Sequence, residues 1–185
     1  MRSVGLFGGS FNPAHGGHLH VARAGLRQLQ LDEIWWLVSP QNPLKPEQPS
    51  WESRAETVLN LPLPPNMRVS DVELRYGTQY TVDLLTTLKM RERETRFVFM
   101  MGADNLRQLP NWRDWEKIMK IVPIAVIARP GSPIRARLGQ AARQYSHARI
   151  SEDQAHTLKD RPSPAWSYLT LPLDKRSSSA IRASR

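Results

Sequence analysis

The chain has 185 residues with a formal net charge of +9, 40% hydrophobic and 23% charged residues, and no cysteine. That composition belongs to a folded globular protein and excludes a disordered chain, a disulfide framework and a thiolate zinc site. The longest apolar runs, such as Ile34 to Val38, are five residues, far short of the roughly 20 residues that a helix needs to cross a bilayer, and no signal-like series opens the chain, so the cytoplasm is the expected compartment.

In chain order, β-rich apolar runs at Ser3–Phe7, Glu33–Val38, Met67–Ser70, Phe97–Met101 and Ile124–Ala128 alternate with helical periodicity at Gly17–Gln30, Trp51–Leu59, Thr81–Arg91, Ala103–Leu109 with Trp112–Ile118, and Ile134–Tyr145. A further strand is read near Tyr168–Leu171. Proline-rich patches at Pro40–Pro49, Leu61–Pro65 and Arg161–Pro164 interrupt the periodicity and read as loops. The alternation predicts an α/β fold, doubly wound around a mainly parallel sheet. The length predicts a single domain over 1–185. The charge is regional: residues 1–128 hold 15 Lys/Arg against 13 Asp/Glu, and 129–185 hold 11 against 4, which places +7 of the +9 in the last third. Such a surplus suits a phosphate-rich partner, either a nucleotide or a nucleic acid.

The first strand runs straight into Gly8-Gly9-Ser10-Phe11-Asn12-Pro13-Ala14-His15-Gly16-Gly17-His18, followed by a helix face of Leu19, Ala22, Leu26 and Leu29. A strand, a glycine turn and a helix N-terminus expose unpaired backbone N–H groups at the positive end of the helix dipole, which favours an anion. Gly8 and Gly9 are expected to let the chain turn sharply and a phosphate approach closely. The run has neither the Gly-Lys-Ser/Thr ending of a P-loop nor the G-x-G-x-x-G spacing. His15 and His18, three apart, can point the same way toward an anion in the loop. Two such histidines are also ordinary helix caps. Zinc is the weaker reading because no third ligand lies nearby in sequence, so no metal-ligating set is assigned to the protein.

These residues resemble the signature of the nucleotidylyltransferase superfamily, whose H-x-G-H motif is matched by His15, Gly17 and His18. Within that superfamily the chain resembles the bacterial nicotinate mononucleotide adenylyltransferases. The resemblance continues in order through Ser39-Pro40-Gln41-Asn42-Pro43-Leu44-Lys45, Gln79-Tyr80-Thr81, Gly102-Ala103-Asp104, Trp112 with Ile118, Arg129-Pro130-Gly131 and Ser177-Ser178-Ser179-Ala180-Ile181-Arg182. Asn12 stands where many relatives have Asp and Leu44 where many have His. The chain also stops three residues after Arg182, where relatives usually continue through another helical stretch.

The resemblance implies a nucleotidylyltransferase fold and the formation of deamido-NAD and pyrophosphate from ATP and nicotinate mononucleotide. It implies an ATP site of Gly8, Gly9, Ser10, Phe11, His15, His18, Asp104, Arg129, Ser178, Ser179 and Arg182. The mononucleotide would meet Ser10, Lys45, Thr81, Asp104 and Trp112, with Trp112 stacking on the pyridine ring and a backbone N–H near it donating to the carboxylate. Catalysis falls to His15, His18, Lys45 and Arg182, with Mg²⁺ arriving on the triphosphate. The Ser-rich ATP-binding turn lies in the basic portion at about 129–185. Asp114 and Glu116 are the acceptors that would favour an amide substrate if they faced the ring. For Asp104 the competing role is a helix N-cap. Trp35 and Trp36 read as core or interface. The alternatives are another adenylyltransferase of the superfamily, acting on nicotinamide mononucleotide or on pantetheine phosphate, and a nucleic-acid-binding module using the basic third. The last leaves the His15–His18 loop without a purpose. Neither nucleic acid nor membrane is expected as a partner, and homo-oligomerisation is left open.

Overall fold

The computed structural model describes residues 1–40, 47–128 and 138–171. Among these, strands β1 (Arg2–Gly9), β2 (Glu33–Val38), β3 (Met67–Ser70), β4 (Thr95–Gly102), β5 (Ile124–Ala128), β6 (Arg149–Ile150) and β7 (Trp166–Thr170) form one sheet in the order β3-β2-β1-β4-β5-β7-β6. Every pairing is parallel. The helices are α1 (Gly16–Gln28), α2 (Trp51–Leu59), α3 (Val72–Arg75), α4 (Thr81–Arg91), α5 (Ala103–Gln108), α6 (Trp115–Ile121) and α7 (Gln140–Gln144), with a 3₁₀ run at Glu152–Asp160. None of the described helices is long and apolar enough to cross a membrane.

A parallel sheet covered on both faces needs strands that are apolar at every position, with successive side chains divided between two cores. The strands obey this. Val4, Leu6, Trp35, Leu37, Phe97, Phe99, Met101 and Val126 pack on one face with Leu84, Leu85 and Leu88 of α4 and Ile118 of α6. Phe7, Ile34, Trp36, Val98, Met100 and Ile127 pack on the other with Leu19 and Ala22 of α1, Val58 of α2 and Leu158. The adjacent Trp35 and Trp36 therefore belong to opposite cores, both buried.

From β1 the chain winds outward through β2 to β3, then returns to β4 on the other side of β1. Winding thus reverses between β1 and β4, and the crevice beyond the carboxyl ends of these strands is where open α/β sheets bind ligands.

Three sequence expectations require correction. The helix expected at Trp112–Ile118 is α6, Trp115–Ile121, because Leu109–Asn111 forms a 3₁₀ turn closed by Trp112 and Asp114 sits in the left-handed region at φ 48°. Of the helix expected at Ile134–Tyr145, the described part is Gln140–Gln144. The glycine turn is displaced as well: β1 continues through Gly9, and the residue with positive φ is Phe11, at 46°. Close neighbours disfavour a side chain at Gly9 and leave little room for one at Gly8. A Cβ on Gly9 would lie 2.9 Å from the Phe11 ring, and one on Gly8 would lie 3.2 Å from that of Phe99.

Candidate active site

His15 is the N-cap of α1 and His18 its third helical residue, and together they form a reciprocal capping box. His15 Nδ1 accepts the Gly17 N–H at 3.0 Å, and His18 Nδ1 accepts the His15 N–H at 3.2 Å. A ring nitrogen that accepts an N–H carries no proton, so each neutral imidazole holds its proton on Nε2. The rings lie 3.9 Å apart between centroids, tilted by 40°. The capping role and the donor role expected from sequence are therefore compatible, since they use different nitrogens. Capping fixes the tautomer and ring orientation that an Nε2–H donor to an anion requires. His15 is 5% exposed and His18 is half-buried.

Phe11 meets this site through its ring, which packs against that of His18. Its ring is buried against Phe7, Trp36 and His18, with centroids 5.4, 5.1 and 5.2 Å away. The left-handed backbone of a bulky residue is uncommon and is a constraint that the surrounding packing must impose.

Beside the loop, a cavity of about 390 Å³ opens over the carboxyl ends of β1, β2 and β4. Gly8, Gly9 and Ser10 form one wall, Thr81 and Leu84 of α4 another, and Trp112, Arg113 and Ile118 a third. Trp112 is partly buried, with its ring edge-to-face to Phe99 at 6.5 Å. Its own backbone N–H donates to Leu109 O at 2.9 Å. The Arg113 guanidinium, on the next residue, lies 4.8 Å from the Tyr80 ring centroid at the cavity wall. Asp104 is exposed in the first turn of α5, whose N-cap is Gly102, so the N-cap role does not apply; the next residue, Asn105, lines the cavity. Asp114 and Glu116 are absent from the cavity wall, and Glu116 accepts a hydrogen bond from Gln144.

The sequence model of the cytidylyltransferase-like family matches residues 6–184. A Caulobacter sp. (strain K31) protein with the curated name "Probable nicotinate-nucleotide adenylyltransferase" is 49% identical over 181 residues, covering 97% of this chain and 96% of its own length. One of the same name from Ruegeria sp. (strain TM1040) is 46% identical with the same coverage. The chain belongs to the nicotinate-nucleotide adenylyltransferase family. The fold agrees: a solved Plasmodium falciparum nicotinic acid mononucleotide adenylyltransferase, complexed with NaAD, superposes with a TM-score of 0.72 at 20% identity, covering 99% of this chain and 83% of its own.

Of the site residues expected from the family resemblance, Gly8, Gly9, Ser10, Thr81 and Trp112 meet at the cavity, and His15 and His18 stand in the adjoining loop. Lys45, Arg129, Ser178, Ser179 and Arg182 lie outside the described residues. Sequence reasoning missed Glu73, a cavity-wall residue on the four-residue helix α3, which is too short to show periodicity. Burial pushes the Glu73 carboxyl up to about 8, and the Arg54 guanidinium pulls it only part of the way back. Near neutral pH it is mostly protonated and can donate a hydrogen bond into the cavity.

Proposed function

We propose that the protein transfers the adenylyl group of ATP to nicotinate mononucleotide, forming deamido-NAD and pyrophosphate. The observation that carries this is the shared wall: Gly8, Gly9 and Ser10 line the mononucleotide-sized cavity and lead directly into the capped histidine loop. A nucleotide phosphate in the cavity and a triphosphate over the loop would meet at Ser10, in line for displacement.

The acceptor's phosphate monoester has a second pKa of about 6, as phosphoserine does, so it attacks largely ionised and needs no protein base. One of its oxygens forms a bond to the α-phosphorus while the bond to the bridging oxygen of the pyrophosphate breaks, and the electron pair leaves with pyrophosphate. Catalysis then consists of alignment and of donors fixed where charge builds. His15 and His18 supply those donors through Nε2–H, with His18 nearest the transferred group. Lys45 and Arg182 add positive charge, Ser178 and Ser179 hold the outer phosphates, and Arg129 meets the adenosine. Asp104, at the start of α5, faces the nucleotides from the carboxyl end of β4. Mg²⁺ enters with ATP as part of the substrate.

Selectivity for the acid over the amide rests on what the cavity offers. The Thr81 hydroxyl, the Arg113 guanidinium and the protonated Glu73 carboxyl are all donors, which suits a nicotinate carboxylate. Two charge-assisted hydrogen bonds, partly offset by desolvation, are worth roughly 10²-fold or more in kcat/KM. Pyrophosphate release from ATP with nicotinate mononucleotide, nicotinamide mononucleotide and pantetheine phosphate tests this. The acid should lead by that factor and pantetheine phosphate should be inert. An acid-to-amide ratio near one would mean dual specificity.

A further inference from the structure

Helix α2 meets the stretch leading into the histidine loop through two side chains, Arg54 and Thr57, three positions apart on one face. Arg54 is 1% exposed, an unusual state for a charged residue, yet no carboxylate is hydrogen-bonded to it among the described residues. Its guanidinium donates instead to three backbone carbonyls: from Nε to Pro49 O at 2.8 Å, from Nη1 to Ser10 O at 2.8 Å, and from Nη2 to Pro40 O at 2.7 Å. These carbonyls belong to three separate stretches, namely the exit of β1, the exit of β2 and the approach to α2. The rigid fork of five N–H groups can bridge all three, which a lysine ammonium on a flexible stem cannot do in the same geometry.

Thr57 completes the arrangement. Its Oγ1 accepts the Ala14 N–H at 2.9 Å and donates to Arg54 O at 2.7 Å. Ser10 O and Ala14 N bracket Phe11–Pro13, the stretch in which the chain reverses with Phe11 at positive φ. The residue after Ala14 is His15, whose backbone N–H is the one captured by His18.

We propose that Arg54 and Thr57 are positioning residues that clamp the two ends of the Ser10–Ala14 turn and so set where His15 and His18 present their donors. The clamp deepens the adenylyl-transfer reading and rests on it for its catalytic consequence. Its geometric consequence, a rigid loop, does not depend on that reading. Through Pro40 O and Pro49 O the same guanidinium also ties the exit of β2 to the approach to α2.

The test uses Thr57→Val, which keeps the shape and removes the hydroxyl, Thr57→Ser, which keeps the hydroxyl, and Arg54→Lys. Two readouts are taken on each full-length protein: native-state hydrogen exchange of the backbone amides of residues 10–18, and steady-state kinetics with each substrate varied. Thr57→Val should speed exchange across the turn, including the His15 and His18 amides. It should lower kcat by about tenfold while the KM for nicotinate mononucleotide stays within about twofold, because a misplacement of 1 Å can cost about 10² in rate without touching the other site. Thr57→Ser should restore both readouts, and Arg54→Lys should lose at least as much as Thr57→Val. The clamp is overturned if faster exchange in Thr57→Val is confined to Ala14 with kcat unchanged. It is equally overturned if the loss is a uniform fall in folded protein that Thr57→Ser does not reverse. Should the unsubstituted protein make no deamido-NAD, the functional reading fails, and the exchange results alone decide the clamp.

Discussion

Replacing Glu73 by glutamine separates two accounts of a buried carboxyl that lie in opposite directions. If burial dominates, Glu73 is neutral in the folded protein up to about pH 8, against an ordinary value of 4.5 in the unfolded chain. Between these values the folded state binds more protons than the unfolded one, so stability falls as pH rises through that window and levels off above it. A difference of 3.5 pH units at about 1.4 kcal/mol each gives an upper figure of about 5 kcal/mol, which the openness of the cavity to water reduces to a few. Glutamine keeps the shape and the hydrogen-bonding capacity without the charge. Glu73→Gln should therefore melt close to the parent protein at pH 5 and higher at pH 9, by roughly 10 °C for about 3 kcal/mol in a chain of this size. Melting followed by circular dichroism at four or five pH values, in buffers of matched ionic strength, gives the result. A variant that is less stable than the parent at pH 9 would refute the reasoning, because it would mean that Glu73 is ionised and held by Arg54. A pH-independent difference would equally show that the carboxyl does not titrate in this window.

His18→Ala should lower kcat by about 10²-fold or more, since a preorganised donor to transition-state charge is worth about 3 to 4 kcal/mol. It also removes one hydrogen bond of the capping box, so melting should fall modestly, by the equivalent of about 1 kcal/mol; a large melting loss with normal turnover per folded molecule would make His18 structural only. Asn12→Asp should change kcat/KM by less than about tenfold, because no carboxylate is asked to take a proton, and a new pH dependence in the rate would contradict that. Deleting residues 177–185 should weaken ATP binding strongly in a calorimetric titration and leave the mononucleotide's affinity in place, as three proposed phosphate-holding groups go together; unchanged ATP affinity would remove Ser178, Ser179 and Arg182 from the site.

What was legible in the sequence was whatever repeats along the chain or sits in one stretch of it. The bounds of β2, β3, β5, α2 and α4 follow from apolar runs and helical periodicity. The histidine loop was readable because its residues are contiguous. The two-residue edge strand β6 and the helix α3 are too short to produce a period, and the 3₁₀ run at Glu152–Asp160 follows a different one. Arg54 illustrates the harder failure. In a helix with Glu52 and Glu56 around it, an arginine reads as a solvated face, and only the arrival of two distant loops shows that it is buried. Glu73 was hidden for the same reason, as its neighbours in space are Arg54 and the cavity rather than anything adjacent in sequence. The turn expected at Gly8 and Gly9 lies instead at Phe11, and what the fold itself shows at these glycines is close ring packing, from Phe11 on Gly9 and more loosely from Phe99 on Gly8.

The central claim is adenylyl transfer to a mononucleotide phosphate, and ATP labelled at the α-phosphorus tests it most directly. Incubated with the protein, Mg²⁺ and nicotinate mononucleotide, the label should appear in deamido-NAD in equimolar amount with unlabelled pyrophosphate, and it should stay in ATP when the mononucleotide is left out. Label recovered as ADP or AMP, or pyrophosphate released without labelled dinucleotide, would contradict the account.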